Sequence, residues 1–162
     1  EIADVIIIDT GAGISNHVLE FVMASQEVLL VTTPEPSSLT DSYSLLKTLY
    51  KNPRFNRDNT KISVLANRVT STEEGRSVYE KLNSVVMQFL KGELQFAGVI
   101  PQDSALEKAV RQQKTVSLNA PSSKSARAFE VMASNILNNE QKQVRISSGI
   151  SHLFSSLWKQ ND

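Results

Sequence analysis

The chain has 162 residues, of which 40% are hydrophobic, 21% charged and 6% aromatic, enough for one domain with a core of its own. Seventeen Lys and Arg balance seventeen Asp and Glu, so there is no overall positive field of the kind that gathers nucleic acid. With no Cys and only His17 and His152, disulfides, thiolate metal sites and a multi-His zinc centre are excluded.

Residues 2–8 are apolar except for Asp4, and the β-branched run over 5–9 predicts a strand buried on both faces, as inside a parallel sheet. Domains seldom begin on their most buried strand, because termini tend to lie exposed. The run therefore points to the C-terminal part of a longer protein. Thr10-Gly11-Ala12-Gly13 predicts a tight turn, and Ile14, Val18, Leu19, Phe21 and Val22 give 14–25 a helical stripe, with Ser15 or Asn16 as its N-cap. EVLLVTT (27–33) is a second short strand, stopped by Pro34-Glu35-Pro36. A helix over 37–50 turns Leu39, Tyr43, Leu46, Leu49 and Tyr50 inward, and 51–60 is a polar loop. KISVLA (61–66) is a third strand ending at Asn67-Arg68-Val69, followed by a long helix over 73–90. LQFAGVI (94–100) is a fourth strand, cut by Pro101. Then come a short helix over 104–113, a stub of strand over 115–118 and a helix over 122–138.

Strands alternating with helices predict an α/β fold, a parallel sheet flanked by helices on both faces. Ligands of such sheets bind beyond the carboxyl ends of the strands. Here those ends are Asp9-Thr10-Gly11, Thr32-Thr33-Pro34, Ala66-Asn67-Arg68 and Ile100-Pro101-Gln102-Asp103. An apolar strand ending in Asp9 before a Gly-rich turn has the form of a Walker B element. There the carboxylate holds Mg²⁺ through water while backbone N–H groups approach a γ-phosphate. The alternative for Asp9 is a cap on the helix that follows. No apolar run approaches the ~20 residues needed to span a membrane, and the first residues lack a signal sequence, so the expected location is the cytoplasm.

Four segments, DVIIIDTGAGIS (4–15), VTTPEPSSLTDSY (31–43), ANRV (66–69) and GVIPQDSALEKAVRQQ (98–113), resemble in order and spacing the MinD/ParA-type ATPases, in particular their flagellar branch, the FlhG-type regulators of flagellar number and placement. The resemblance covers about residues 1–140 and implies the C-terminal half of a MinD-like P-loop fold with ATP and Mg²⁺ as cofactors. It implies that Asp9 is the catalytic and Mg²⁺-side carboxylate, with Thr10, Gly11 and Gly13 in a switch loop against the γ-phosphate. Where MinD has Pro this chain has Gly11, a change that fits the flagellar branch. Asp41 takes the place of an Asp near the active site and the partner surface of the dimer. Asn67 takes the place of the Asn that hydrogen-bonds adenine, Arg68 flanks the base, and Pro101 and Asp103 line it from the other side. The alternatives are an Asn that merely ends a strand and an Asp103 that merely caps a helix.

No G-x-x-x-x-G-K-[ST] or KGGxGK loop occurs in the chain, and the Asp expected to position the attacking water is absent as well. The resemblance thus implies an ATPase only in the whole protein, with this chain alone inactive. It also implies a gap in the sheet: in the resembling fold the strands 5–9 and 28–33 are not neighbours, because the phosphate-loop strand lies between them.

The tract NNEQKQV (138–144) is polar, which divides the chain into a domain over 1–140, a linker over 141–145 and a C-terminal segment over 146–162. In the last, Ile146, Ile150, Leu153, Phe154, Leu157 and Trp158 form one apolar stripe of an amphipathic helix. Docking on its own domain and peripheral attachment to the inner face of the cell membrane both fit this stripe. By resemblance the protein is an ATP-dependent homodimer and membrane switch whose partners are flagellar placement or switch-complex proteins. A partition ATPase of the same superfamily and a non-catalytic interaction module are the alternatives. A dinucleotide-binding oxidoreductase is disfavoured because no G-x-G-x-x-G follows a strand.

Overall fold

The computed structural model describes residues 3 and 5–138. Three parallel strands, β1 (Glu27–Thr32), β2 (Lys61–Val69) and β3 (Gln95–Pro101), form one sheet in the order β1-β2-β3. The helices among the described residues are α1 (Asn16–Ala24), α2 (Pro36–Lys51), α3 (Thr72–Leu90), α4 (Ser104–Arg111), α5 (Val116–Asn119) and α6 (Lys124–Asn138).

Helices cover one face of all three strands and the second face of β2 and β3. On one face Leu30 of β1 and Ile62 and Val64 of β2 pack with Leu46 and Leu49 of α2, Leu82 and Val86 of α3, and Val18 and Val22 of α1. Ala66 and Val99 extend this layer to Val78 of α3. On the other face Leu65 and Ile100 meet Ala128, Phe129 and Met132 of α6. A small satellite core of Ala109, Val116 and Ala126 ties α4 and α5 to α6. Alternation along β2 explains the division: Ile62, Val64 and Ala66 point one way and Leu65 the other.

Helix starts follow local chemistry. Ser15 accepts from Val18 N–H at 3.5 Å, so Ser15 rather than Asn16 caps α1. Ser71 accepts from Glu74 N–H at 3.1 Å, and the Glu74 carboxylate reaches back to the Thr70 N–H at 2.6 Å and its hydroxyl at 2.8 Å. This is a reciprocal capping box displaced by one residue, and the bonds from Thr70 hold Glu74 below the ordinary carboxyl range. Lys91, left-handed at φ 55°, ends α3. Arg57 pins the loop after α2 by donating to carbonyls in the last turns of two helices, Tyr50 O at 2.6 Å and Leu90 O at 3.2 Å.

Two expectations are corrected. The run 5–9 is not a strand of the sheet: Val5, Ile6, Ile7 and Ile8 are 44, 79, 82 and 48% exposed and pair with nothing among the described residues. An apolar run becomes a buried strand only when neighbours exist on its edges and faces, and none of the described elements supplies them. Nor is there a gap between two strands of the sheet, because the run stands outside it, displaced and uncovered, and Ile6 and Ile8 do not pair with Leu29 and Val31. Leu29 and Val31 themselves stand exposed on the outer face of β1. The stub of strand over 115–118 is instead the single turn α5, closed by Asn119 N–H to Thr115 O and Ala120 N–H to Val116 O. Val116 is better buried against Ala109 and Ala126 than a lone β-stub without a ladder partner would be. The C-terminal stripe, Ile146 to Trp158, and the linker lie outside the described residues. Among the described residues no helix is long and apolar enough to cross a membrane.

Candidate functional site

Three parallel strands bring their carboxyl ends to one edge, and each end is fixed by a different device. At the end of β1, buried Thr32 shares a 3.0 Å hydroxyl–hydroxyl hydrogen bond with Ser38, whose Oγ also accepts from Thr33 N–H at 3.0 Å. The first turn of α2 is thereby tied to the strand it follows.

At the end of β2 the ladder slips: Asn67 lies opposite Ile100 and Val69 opposite Pro101, so Arg68 is the extra residue of a β-bulge. Arg68 sits in the left-handed region at φ 58°, which a non-glycine residue adopts at a cost of order 1 kcal/mol. Asn67 helps hold it there, its Oδ1 accepting from Arg68 N–H at 2.9 Å. Among the described residues that bond leaves the two N–H groups of the Asn67 carboxamide and a second acceptor lone pair uncommitted. Arg68 Nη1 lies 3.6 Å from Glu35 Oε1, linking the loop after β1 to the bulge at the end of β2. Both partners are exposed, so the pair contributes at most about 1 kcal/mol.

At the end of β3, Gln102 N–H donates to Val69 O at 2.9 Å, which locks the turn after Pro101 onto the bulged end of β2. Asp103 caps α4, its Oδ1 accepting from Ala105 N–H at 2.9 Å. Its Oδ2 accepts from both the N–H and the hydroxyl of Ser125, each at 2.9 Å. Partial burial pushes the Asp103 carboxyl up, but the hydrogen bonds from Ser125 and Ala105, with the Lys124 charge, hold it below its ordinary value. A folded-state pKa below the unfolded one means stability that is present at neutral pH and lost as the pH falls through the folded value. Asp103→Asn is therefore expected to lower stability by about 1–2 kcal/mol at pH 7, with the deficit shrinking below about pH 4. Urea unfolding of both proteins at the two pH values checks this; an equal deficit at both would show that the carboxylate charge is not responsible.

The structure brings Asn67, Arg68, Pro101 and Asp103 together along the ends of β2 and β3. It does not join Asp9, Thr10, Gly11 or Gly13 to them. These four are exposed on the segment before α1, and no hydrogen bond or ion pair among the described residues links them to the strand ends. Gly13 has φ +104°, a conformation that suits glycine at this turn. Asp41 is exposed on the second turn of α2. Three participants escaped the sequence reading: Ser38, Glu35 and Ser125. Ser125 stands 22 residues from Asp103, and no local pattern announces such a pair.

Asn67, opposite Ile100, is half-buried, and Pro101, opposite Val69, is buried. No lysine-bearing glycine-rich loop is present in the chain, and among the described residues no group of three or more His, Asp or Glu could hold a metal ion.

No family model matches the chain. It is 45% identical over 135 residues to the antiactivator FleN of Pseudomonas aeruginosa, covering 82% of this chain and 46% of FleN. It is 33% identical over 159 residues to the flagellum site-determining protein YlxH of Helicobacter pylori, covering 96% of this chain and 52% of YlxH. The fold matches the cell division ATPase MinD of Pyrococcus furiosus with a TM-score of 0.60 and 24% identity, over 82% of this chain and 51% of that one. It also matches the septum site-determining protein MinD of Pyrococcus horikoshii, complexed with Mg-ADP, with a TM-score of 0.56 and 26% identity over 79% and 48% of the two chains. The chain thus spans about half the length of the proteins it matches. By its relatives and its fold it belongs to the MinD/ParA-type ATPases, related to FleN and to YlxH.

Proposed function

We propose that this chain supplies the base-binding edge of a MinD-like ATPase that sets the number and placement of flagella. In this reading ATP binding drives formation of a homodimer and its attachment to the membrane, and hydrolysis releases both. The observation that carries it is the junction of the Asn67–Arg68 bulge with the Pro101–Asp103 turn, locked by Gln102 N–H to Val69 O. The uncommitted donors and acceptor of Asn67 face the needs of adenine, which offers a donor and an acceptor side by side. Arg68 and Pro101 flank the ring, while Asp103, saturated by Ser125 and Ala105, sets the turn that carries Pro101. The flagellum-site role of YlxH and the Mg-ADP found with one MinD support the nucleotide and the cellular output.

Asp9 is the candidate Mg²⁺-side carboxylate and Asp41 the candidate dimer-side acid of the whole protein. Asp9 is exposed on the segment before α1. The stripe Ile146, Ile150, Leu153, Phe154, Leu157 and Trp158 is the proposed membrane contact. The test uses a protein that includes a phosphate-loop half. Asn67→Ala is expected to weaken ATP binding by about 1–3 kcal/mol, the cost of a buried partner left unsatisfied, and to erode the preference for ATP over GTP. Unchanged affinity and preference in a folded variant would remove Asn67 from the base site and favour a non-catalytic interaction module.

A further inference from the structure

Charge is unevenly spread along this neutral chain. Residues 104–128 hold Lys108, Arg111, Lys114, Lys124 and Arg127 against a single acid, Glu107. All five cations are exposed and none forms an ion pair among the described residues; only Lys124 acts on a carboxyl, that of Asp103. A tight turn joins α4 to α5, with Gln113 at φ 53° and Lys114 N–H donating to Ala109 O at 2.9 Å. Both helices turn inward, Ala109 and Val116 packing on Ala126 of α6. Lys108, Arg111 and Lys114 therefore stand on the outside of this helical corner, and Lys124 and Arg127 continue the positive charge on the first turns of α6. On the same two helices Val110, next to Arg111, is 66% and Leu118 85% exposed, so the apolar groups protrude instead of lining a groove.

A protruding leucine among unpaired lysines and arginines fits one surface well. In an anionic bilayer the leucine enters the acyl boundary while the cations meet lipid phosphates, their methylene stems lying along apolar material. Nucleic acid would use the cations but leave Leu118 and Val110 without a role, and residues 104–128 offer no aromatic ring on which a base could stack. We propose that the α4–α5 corner is a contact for anionic lipid bilayers, separate from the stripe over 146–158. The proposal shares the membrane with the reading above but stands on different residues, and the two fail separately.

The test uses the full chain with the stripe silenced by Phe154→Glu and Leu157→Glu. It is sedimented with vesicles of phosphatidylcholine, alone or with roughly a third phosphatidylglycerol. The expected result is binding to the anionic vesicles only, weakened by added salt. Arg111→Glu with Lys114→Glu should reduce it at least about tenfold, and Leu118→Ser, an exposed change that leaves the fold intact, should reduce it at constant charge. Failure of the silenced chain to bind, equal binding to neutral vesicles, indifference to the charge reversal, or capture of double-stranded DNA without vesicle binding would each overturn the proposal. Equal sedimentation of the silenced and original chains would refute the stripe alone, and the nucleotide reading is judged by Asn67→Ala.

Discussion

Gly75→Leu is expected to abolish cooperative unfolding of the chain. Gly75 is buried in the first turn of α3, where the helix crosses the sheet with no side chain between them. A Cβ at this position would lie 2.2 Å from Val99 Cγ1 and 3.4 Å from Ala66 Cβ. Both neighbours belong to buried strand residues, and a β-branched valine has little rotamer freedom with which to retreat. Even Gly75→Ala should cost about 1–3 kcal/mol by overpacking, although alanine favours helix by about 1 kcal/mol. Leucine adds three more carbons to the same contact. The effect is local and so reversible: in a Val99→Ala background Gly75→Ala should become neutral or stabilising. Thermal and urea unfolding of the four proteins give the coupling directly. Additive losses would mean that α3 approaches the sheet differently.

The second large effect concerns nucleotide. The 162-residue chain is expected to bind ATP weakly or not at all, and addition of a phosphate-loop half should raise the affinity by at least about 100-fold. Two charge-assisted hydrogen bonds to phosphate, at about 1.5–3 kcal/mol each, suffice for that factor, and this chain has no glycine-rich lysine loop to make them. Titration calorimetry with Mg-ATP on both proteins decides it. Tight binding by the chain alone would mean that the strand ends hold phosphate by a route other than the family's loop.

Much of the architecture was legible because it rests on periodicity. The helices α2 and α3 follow from apolar residues every three or four positions, and their ends lie within a residue of those read from Pro36, Tyr50 and Leu90. The run 5–9 misled because hydrophobicity reports what a segment needs, whereas burial depends on what stands beside it. The extension of β2 from Ala66 to Val69 was not legible either, since Asn67 and Arg68 are poor strand formers held in the ladder by a bulge. Asn67, Arg68, Pro101 and Asp103 stand out by motif alone, and the fold gathers them at one edge. Glu35 and Ser125 were invisible because their partners become neighbours only after the sheet is formed.

The outer edge of β1 has a bearing on the life of this chain in a cell. Its outer ladder groups face away from β2, beside exposed Leu29 and Val31, while Val5 to Ile8 offer exposed aliphatic side chains of their own. Open edges and bare aliphatic strands are what holdase chaperones and degradative proteases select. Made without a cover for that edge, the polypeptide should therefore turn over quickly and accumulate poorly, however sound the packing around Leu46, Leu49 and Val64. Its steady-state abundance would then be governed by whatever covers β1.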